Sequence, residues 1–380
     1  MRLQRVDEAN RTPFAEIRSW VYRGGEPVPA GDNLLPEGVD GFLAYEDDVA
    51  VGAYSLLNLE TLVRGRPMKT AGYAAVAVPP EHRGGGVGQR MMSASLRPAR
   101  EEGYLLASLY AFREPFYRKS GFASMGTRLS LNAPTHRMPS YSQELPAVRL
   151  SPQDWRLLEP CYESFAAVRS GLNRRSEWLW QRKMGSESSG GHRLAFGDPV
   201  EAYLLIDPET AFWAKVEVSE FVWSTARGYR SAMASLRHLA INQSSVEWSE
   251  PGDSPTLMHA QDHGIKVESD RPIMVRVLDV VAGLQRLAPE TSGRFTLAID
   301  DPDIPENRGP FEVQFEPGGV HVGPASTGEV ALSIGEFSQA FFGEPSLEEL
   351  LRFRGSSWSE GVASACRLLS PRRCFCLDFF

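Results

Sequence analysis

Between Val76 and Arg90 the chain reads Val-Ala-Val-Pro-Pro-Glu-His-Arg-Gly-Gly-Gly-Val-Gly-Gln-Arg, and its candidate binding residues are Arg83 with the glycines at 84, 85, 86 and 88. Glycines ahead of a helix let backbone N–H groups close on an anion, and the helix dipole adds partial positive charge, so the chemistry on offer is capture of a pyrophosphate. The spacing is Arg83-x-x-Gly86-x-Gly88, without the Gly-Lys-Ser/Thr of a P-loop or a G-x-G-x-x-G. A second candidate is the phenol of Tyr117, on a short predicted helix between Pro115, which suits a first turn, and Gly121, which suits a C-cap. An aromatic pair such as Phe116 and Tyr117 more often serves core packing. Metal chemistry finds little support: His259 and His263 share an i, i+4 spacing, but Asp262 and Gly264 suggest a helix end rather than H-E-x-x-H.

The elements that must position these residues follow from periodicity. Tyr73 to Val78 is an apolar run stopped by Pro79 and Pro80, and Gln89 to Arg100 has helical spacing weakened by Pro98. Upstream, Met1 to Val6 predicts an edge strand, and Pro13 to Tyr22 a helix with Phe14, Ile17, Trp20 and Val21 on one side. Gly41 to Leu56 predicts a hairpin about Asp47-Asp48, and Met68 to Val78 the next strand. The loop from Gly24 to Gly38 carries Glu26, Asp32 and Glu37, which fit either a hold on a cationic substrate or a solvated acidic loop. Leu105 to Tyr110 is the strand before Tyr117. The order is strand, helix, three strands, helix, strand, helix.

A Pro/Ser-rich segment, Ala133 to Pro146, reads as a linker. Beyond it come predicted helices Gln153 to Val168, Ser176 to Met184 and Tyr229 to Ala240, and strands His192–Phe196, Val200–Ile206 and Ala211–Val222. Met233-Ala-Ser-Leu-Arg237 echoes Met92-Ser-Ala-Ser-Leu-Arg97, as an internal duplication would. Ser224 to Tyr229 lacks the glycine spacing, so this second copy reads as scaffold and pocket wall. Trp178, Trp180 and Trp213 fit its core better than an acceptor site. Met274 to Val280 is expected to close it. The last part alternates as strands do, at Phe295, Leu297 and Ile299, then Phe311, Val313 and Phe315, before helices Ile334 to Phe342 and Ser346 to Phe353. Asp300, Asp301, Asp303 and Glu306, with prolines at 302 and 305, predict a solvated hairpin tip rather than a calcium loop. The closing Cys374-Phe-Cys-Leu-Asp-Phe-Phe380 predicts a docked apolar strand.

Composition bounds the rest. A chain of 380 residues suggests two or three domains, and 42% hydrophobic with 23% charged residues is globular. A net charge of −8 without a basic block argues against nucleic acid and favours cationic partners. No apolar run spans a membrane, the N-terminus lacks a signal-peptide core, and four scattered cysteines point to a reducing, cytoplasmic setting.

Arg83-x-x-Gly86-x-Gly88 after an apolar strand resembles the acetyl-CoA loop of the GNAT N-acetyltransferases. With the degenerate repeat, the alternating third segment and the aromatic C-terminus, the whole chain resembles the enhanced-intracellular-survival (Eis) family. That resemblance implies mixed α/β sheets in three domains: an acetyl-CoA-binding GNAT domain at 1–135, a GNAT-like one at 136–280, and a sterol-carrier-protein-like one at 281–380. It implies a homohexamer and transfer from acetyl-CoA, with no metal, to a primary amine of a small cationic molecule, aminoglycoside-like or lysine-like. Protein lysines are an alternative acceptor, and a non-catalytic acyl-CoA or lipid-binding module an alternative function. Tyr117 becomes the general acid, the C-terminal carboxylate of Phe380 the general base, and the Val78 N–H the oxyanion donor. Cofactor contacts fall on Val76, Ala77, Val78, Arg83, Gly84, Gly85, Gly86, Val87, Gly88, Gln89, Phe112 and Arg113. An alkyl amine, with a pKa of about 10, must lose its proton first, and an α-carboxylate needs an apolar setting to accept it. Leu377 and Phe379 are the candidate source. Asp378 lies one residue further from the terminus than an acid-rich aminoglycoside pocket leads one to expect.

Overall fold

A computed structural model describes residues 1–28, 34–208, 211, 213–259 and 264–379, so the expected roles of Asp32, His263 and Phe380 lie outside the described residues. The chain opens with β1 (Arg2–Arg5), α1 (Arg11–Tyr22), β2 (Val39–Glu46), β3 (Val49–Val63), β4 (Arg66–Ala77), α2 (Val87–Glu101), β5 (Leu106–Tyr110), α3 (Glu114–Arg118) and β6 (Ala123–Ser124). It continues through β7 (Arg128–Pro134), β8 (Ala147–Arg149), α4 (Trp155–Ala167), α5 (Glu177–Met184), β9 (His192–Phe196), β10 (Ala202–Ile206), β11 (Lys215–Trp223), α6 (Ala226–Leu239), β12 (Ser245–Pro251), α7 (Pro255–His259) and β13 (Lys266–Asp270). The last stretch holds β14 (Ile273–Val277), α8 (Val280–Gln285), β15 (Gly293–Asp300), β16 (Phe311–Glu316), β17 (Gly319–Pro324), β18 (Val330–Ser333), α9 (Ile334–Phe342), α10 (Leu347–Phe353) and α11 (Glu360–Leu368).

Two units result. One comprises Met1–Met125, Pro272–Arg372 and Phe379–Phe380; the other comprises Gly126–Arg271 and Arg373–Asp378. In the first, a mixed sheet runs β1-β2-β3-β4-β5-β14-β6, with β4 and β5 parallel across the α2 crossover. Its apolar face buries Tyr54, Tyr73, Leu96, Leu109 and Phe122. The strand expected to close the second copy is the finding that departs most from the sequence reading: β14 pairs antiparallel with β5 and β6 of the first sheet. The sequence cannot show this, because the run Ile273 to Val277 is fully buried and carries no mark of its neighbours. The same unit holds a second sheet, β17-β16-β15-β18, with Phe295, Leu297, Ile299 and Val313 buried as their alternation predicts. Ser346 caps α10 in a capping box with Glu349.

The other unit is a sheet ordered β13-β7-β12-β11-β10-β9-β8. Its parallel pair β11–β12 spans helix α6 as β4–β5 spans α2, so the duplicated helix echo has a matching topology.

Three side-chain expectations are corrected. Asp301 is not at a solvated tip but wholly buried, because Arg276, Asn307 and the amides of Asp303 and Ile304 bond its carboxylate. Trp180 is core, yet Trp213 is exposed and Trp178 only half-buried. Trp20 is also exposed; its ring is 3.0 Å from where a Cβ on Gly25 would sit, so it packs along the outgoing loop rather than on the core stripe of Phe14 and Ile17. The C-terminal segment is no strand either. Arg373–Asp378 belongs to the second unit, where Cys374 makes an isolated bridge with Ser170 and Asp378 accepts from Asn173 and Arg175, and Cys374 to Asp378 lie buried.

Candidate active site

The β4–β5 ladder ends at Tyr73–Leu109, whereas β4 continues to Ala77 on its other edge against β3. Between Ser55–Ala74 and Ala53–Ala77 strand β4 carries one extra residue, and Ala75 takes φ +48. Such a bulge bends a strand away from its neighbour. The two parallel strands therefore part, leaving Ala74, Ala75, Val76 and Val78 half-exposed along the gap.

At the open end the chain makes a short turn, Pro80–His82, and enters α2. The two motif glycines have separate reasons. Gly86 is the N-cap in the left-handed region at φ +76, with no side chain capping the helix, so first-turn N–H groups face outward unfilled by the protein. Gly88 allows close approach: a Cβ there would sit 3.1 Å from the Phe116 ring and 3.5 Å from Val78. Gly84 and Gly85 face open space. The residues thus fit a pyrophosphate held by α2. Arg83 turns its Nε onto the Val78 carbonyl at 2.8 Å, which orients that strand end. Gln89 donates to Ser120 Oγ, while its amide oxygen is buried without a partner, suited to an N–H of a bound ligand.

Beside this cradle, α3 carries Tyr117 into the gap. Its ring is buried at 2% exposure, edge-on to Phe116 at 4.8 Å and to Phe112 at 5.6 Å. Burial pushes the phenol above its ordinary pKa, and Tyr22 pushes it further, so it stays protonated as an acid must. Tyr22 is the residue that sequence reading missed. Its hydroxyl donates to the Val76 carbonyl at 2.8 Å, across the gap from α1. Its one sequence signal is an aromatic at the end of a helix but off the apolar stripe. Phe112 projects, 75% exposed, and Arg113 is the N-cap residue of α3. Phe379 stacks on Tyr110, the last residue of β5, at 4.3 Å. The expected residues Val76, Val78, Gly84 to Gln89, Phe112 and Tyr117 are therefore drawn together.

The corresponding place in the second unit is closed. Thr225 caps α6 with its own hydroxyl, and the Glu201 carboxylate bonds Thr225 at 2.6 Å and Arg227 at 2.8 Å. A fixed carboxylate and a filled cap repel a phosphate. There Asp378 is likewise committed, to Arg175 at 2.8 Å and Asn173 at 3.2 Å, so it is withdrawn from any acceptor pocket.

A bulged, parted strand pair with an uncapped helix N-terminus and a buried phenol at the opening defines an acyl-transfer domain of the GNAT class. Residues 7–125 match the acetyltransferase (GNAT) domain family and residues 280–377 the sterol carrier protein domain family. The chain is thus an N-acetyltransferase with a GNAT-type domain, whose fold implies acetyl-CoA, and a sterol-carrier-like domain. It is 23% identical over 353 residues to a Streptomyces griseus protein described as an uncharacterized N-acetyltransferase, covering 84% of each. Its fold is that of the GCN5-related N-acetyltransferase from Anabaena variabilis, with a TM-score of 0.87, 18% identity and full coverage of both chains. Eis1 from Mycobacterium abscessus superposes with a TM-score of 0.81 at 17% identity, again over the full length of both. Among the described residues, no helix is long and apolar enough to cross a membrane, and no group of three or more His, Cys, Asp or Glu could hold a metal ion.

Proposed function

We propose that the chain is an Eis-type acetyltransferase, moving acetyl from acetyl-CoA to the primary amine of a small cationic molecule, in a hexamer of GNAT, GNAT-like and sterol-carrier-like domains. The observation that carries this reading is Tyr117, buried and protonated in the β4–β5 gap next to an uncapped α2. In the reaction a C–N bond forms as the C–S bond breaks. The Val78 N–H donates to the carbonyl oxygen as it gains charge, Tyr117 gives its proton to the departing sulfur, and the Phe380 carboxylate takes a proton from the amine. The stacking of Phe379 on the lip of β5 supports delivery of the terminus to that gap. Thiol release from acetyl-CoA across a panel of aminoglycosides, Nα-acetyl-lysine, polyamines and arylalkylamines tests the reading; no release with any amine refutes it.

Two outcomes follow. A Cβ at Gly85 meets no atom within 4 Å, so Gly85→Asp is expected to leave the thermal midpoint unchanged, yet it sets a negative charge at the cradle. Acetyl-CoA affinity by isothermal titration is expected to fall by roughly 10- to 100-fold, on the scale of one lost charge-assisted contact. An added tail of three residues after Phe380 removes the terminal carboxylate from its place and is expected to abolish turnover with acetyl-CoA affinity retained. Full activity in that extended chain excludes the terminus as base.

A further inference from the structure

Arg276, on β14, is wholly buried and bonds in three directions. Its Nη2 donates to Asp301 at 2.6 Å, and its Nη1 donates to the Ser120 carbonyl and approaches Asp303 at 3.4 Å. Asp301 is itself pinned by Asn307 Nδ2 at 2.9 Å and by two backbone amides. Ser120 is where the two halves of the site meet. Its N–H donates to the Tyr117 carbonyl at 3.0 Å, closing α3, and its hydroxyl accepts from Gln89 in the first turn of α2. The chain runs so close to the guanidinium at Gly121, which has φ +72, that a Cβ there would lie 2.0 Å from Nη1.

This arrangement is a poor device for stability alone. A buried ion pair seldom repays its desolvation, and the Nε of Arg276 is buried without a partner. What it does supply is a fixed point: a side chain anchored from the loop after β15 holds the end of the helix that bears the phenol and, through one hydroxyl, the helix that bears the cradle. We propose that Arg276, set by Asp301, is a positioning residue for acetyl transfer, keeping Tyr117 at one distance from the cofactor cradle. The inference rests on the acid role of Tyr117 and assigns part of the sterol-carrier-like region to the active site's support.

The test compares Arg276→Lys, which keeps the charge but has a single nitrogen to share between Ser120 and Asp301, in two backgrounds: the native chain and Tyr117→Phe. With acetyl-CoA and the best amine of the panel, Arg276→Lys is expected to lower kcat by about 10- to 100-fold, as misplacement of a reacting group by about 1 Å does, with KM for acetyl-CoA within about threefold. In the Tyr117→Phe background the further loss is expected to stay under about twofold, because the group being positioned is gone. An equal loss in both backgrounds marks a purely structural role and overturns the proposal, as does an unchanged kcat. If Arg276→Lys does not fold, Asp303→Asn decides. It leaves the Asp301 pair intact and is expected to lower kcat about threefold in the native background only; no change overturns the proposal. Collapse in Tyr117→Phe with full activity in the Arg276 and Asp303 variants refutes this inference alone. Full activity in Tyr117→Phe, or no thiol release by the native chain, refutes the underlying reading as well.

Discussion

Tyr117→Phe is expected to lower kcat by roughly 100- to 1,000-fold while acetyl-CoA affinity stays within about twofold, the range for loss of a positioned proton donor. The substitution removes one oxygen and keeps the ring, so the edge-on contacts with Phe112 and Phe116 persist and α3 stays in place. The cradle at Gly84 to Gly88 does not involve the hydroxyl, which is why binding and chemistry separate. The pH profile carries the same message. Burial, with Tyr22 adding to it, holds the Tyr117 pKa above its ordinary value of 10.0, so the proton remains available through neutral and mildly alkaline pH. An alkaline fall in kcat below pH 10.0 therefore belongs to another group, and it persists in Tyr117→Phe. A variant that keeps full kcat with acetyl-CoA shows that the sulfur leaves without this proton and removes Tyr117 from the mechanism.

The largest expected effect on stability lies in the second unit. There the side chains of Arg175, Glu220 and Asp378 are all 5% exposed or less, with both Glu220 oxygens 2.7 Å from the guanidinium and Asp378 at 2.8 Å. The guanidinium also lies over the rings of Tyr162 and Trp180, at 4.1 and 4.7 Å. Arg175→Met leaves two buried carboxylates with Lys183 as the remaining cation on Glu220, at 3.0 Å. Breaking such a cluster from one side costs about 3–5 kcal/mol, against near neutrality for an apolar replacement of all its members. Urea denaturation of the full chain, followed by tryptophan fluorescence, reads this at pH 7. Acid changes the comparison in a defined direction. Burial alone raises the Glu220 pKa, but Arg175 and Lys183 outweigh it and bring it from 4.5 down to about 2. A carboxyl with a depressed folded pKa contributes stability above its unfolded value and loses it as pH falls through the folded one. The native chain therefore gives up this contribution between pH 4.5 and about 2. The variant has already lost it, so the gap between the two narrows in acid; a gap that widens below pH 4.5 contradicts the account.

The two glycine roles explain why the loop could be read from the sequence. A left-handed N-cap at Gly86 and a close approach at Gly88 are demands that one residue type meets, and both fall within a few residues of the strand and helix they join. The alternation of β15 and β16 and the capping box at Ser346 are local in the same way. Tyr22 was not legible, because its bond to Val76 spans 54 positions and an exposed aromatic at a helix end has many uses. The same holds for Arg276: between a buried apolar strand and an acidic, proline-flanked loop, nothing in the spelling says that one guanidinium joins them. The three-way division into 1–135, 136–280 and 281–380 remains our proposal for the domains.

By itself, then, the sequence determined many of the strands and helices and the glycine turn ahead of α2, since each depends on periods and spacings within one or two elements, while the acyl-transfer class and the candidate role of Tyr117 came with the resemblance to a known family. The tertiary structure alone decided that β14 joins the first sheet, that Asp301 and Asp378 are buried partners of Arg276 and Arg175, and that Glu201 closes the second loop. Those outcomes turn on which charges and edges meet across tens to hundreds of residues, and the gain from pairing a buried charge exists only once the chain has brought its partner there.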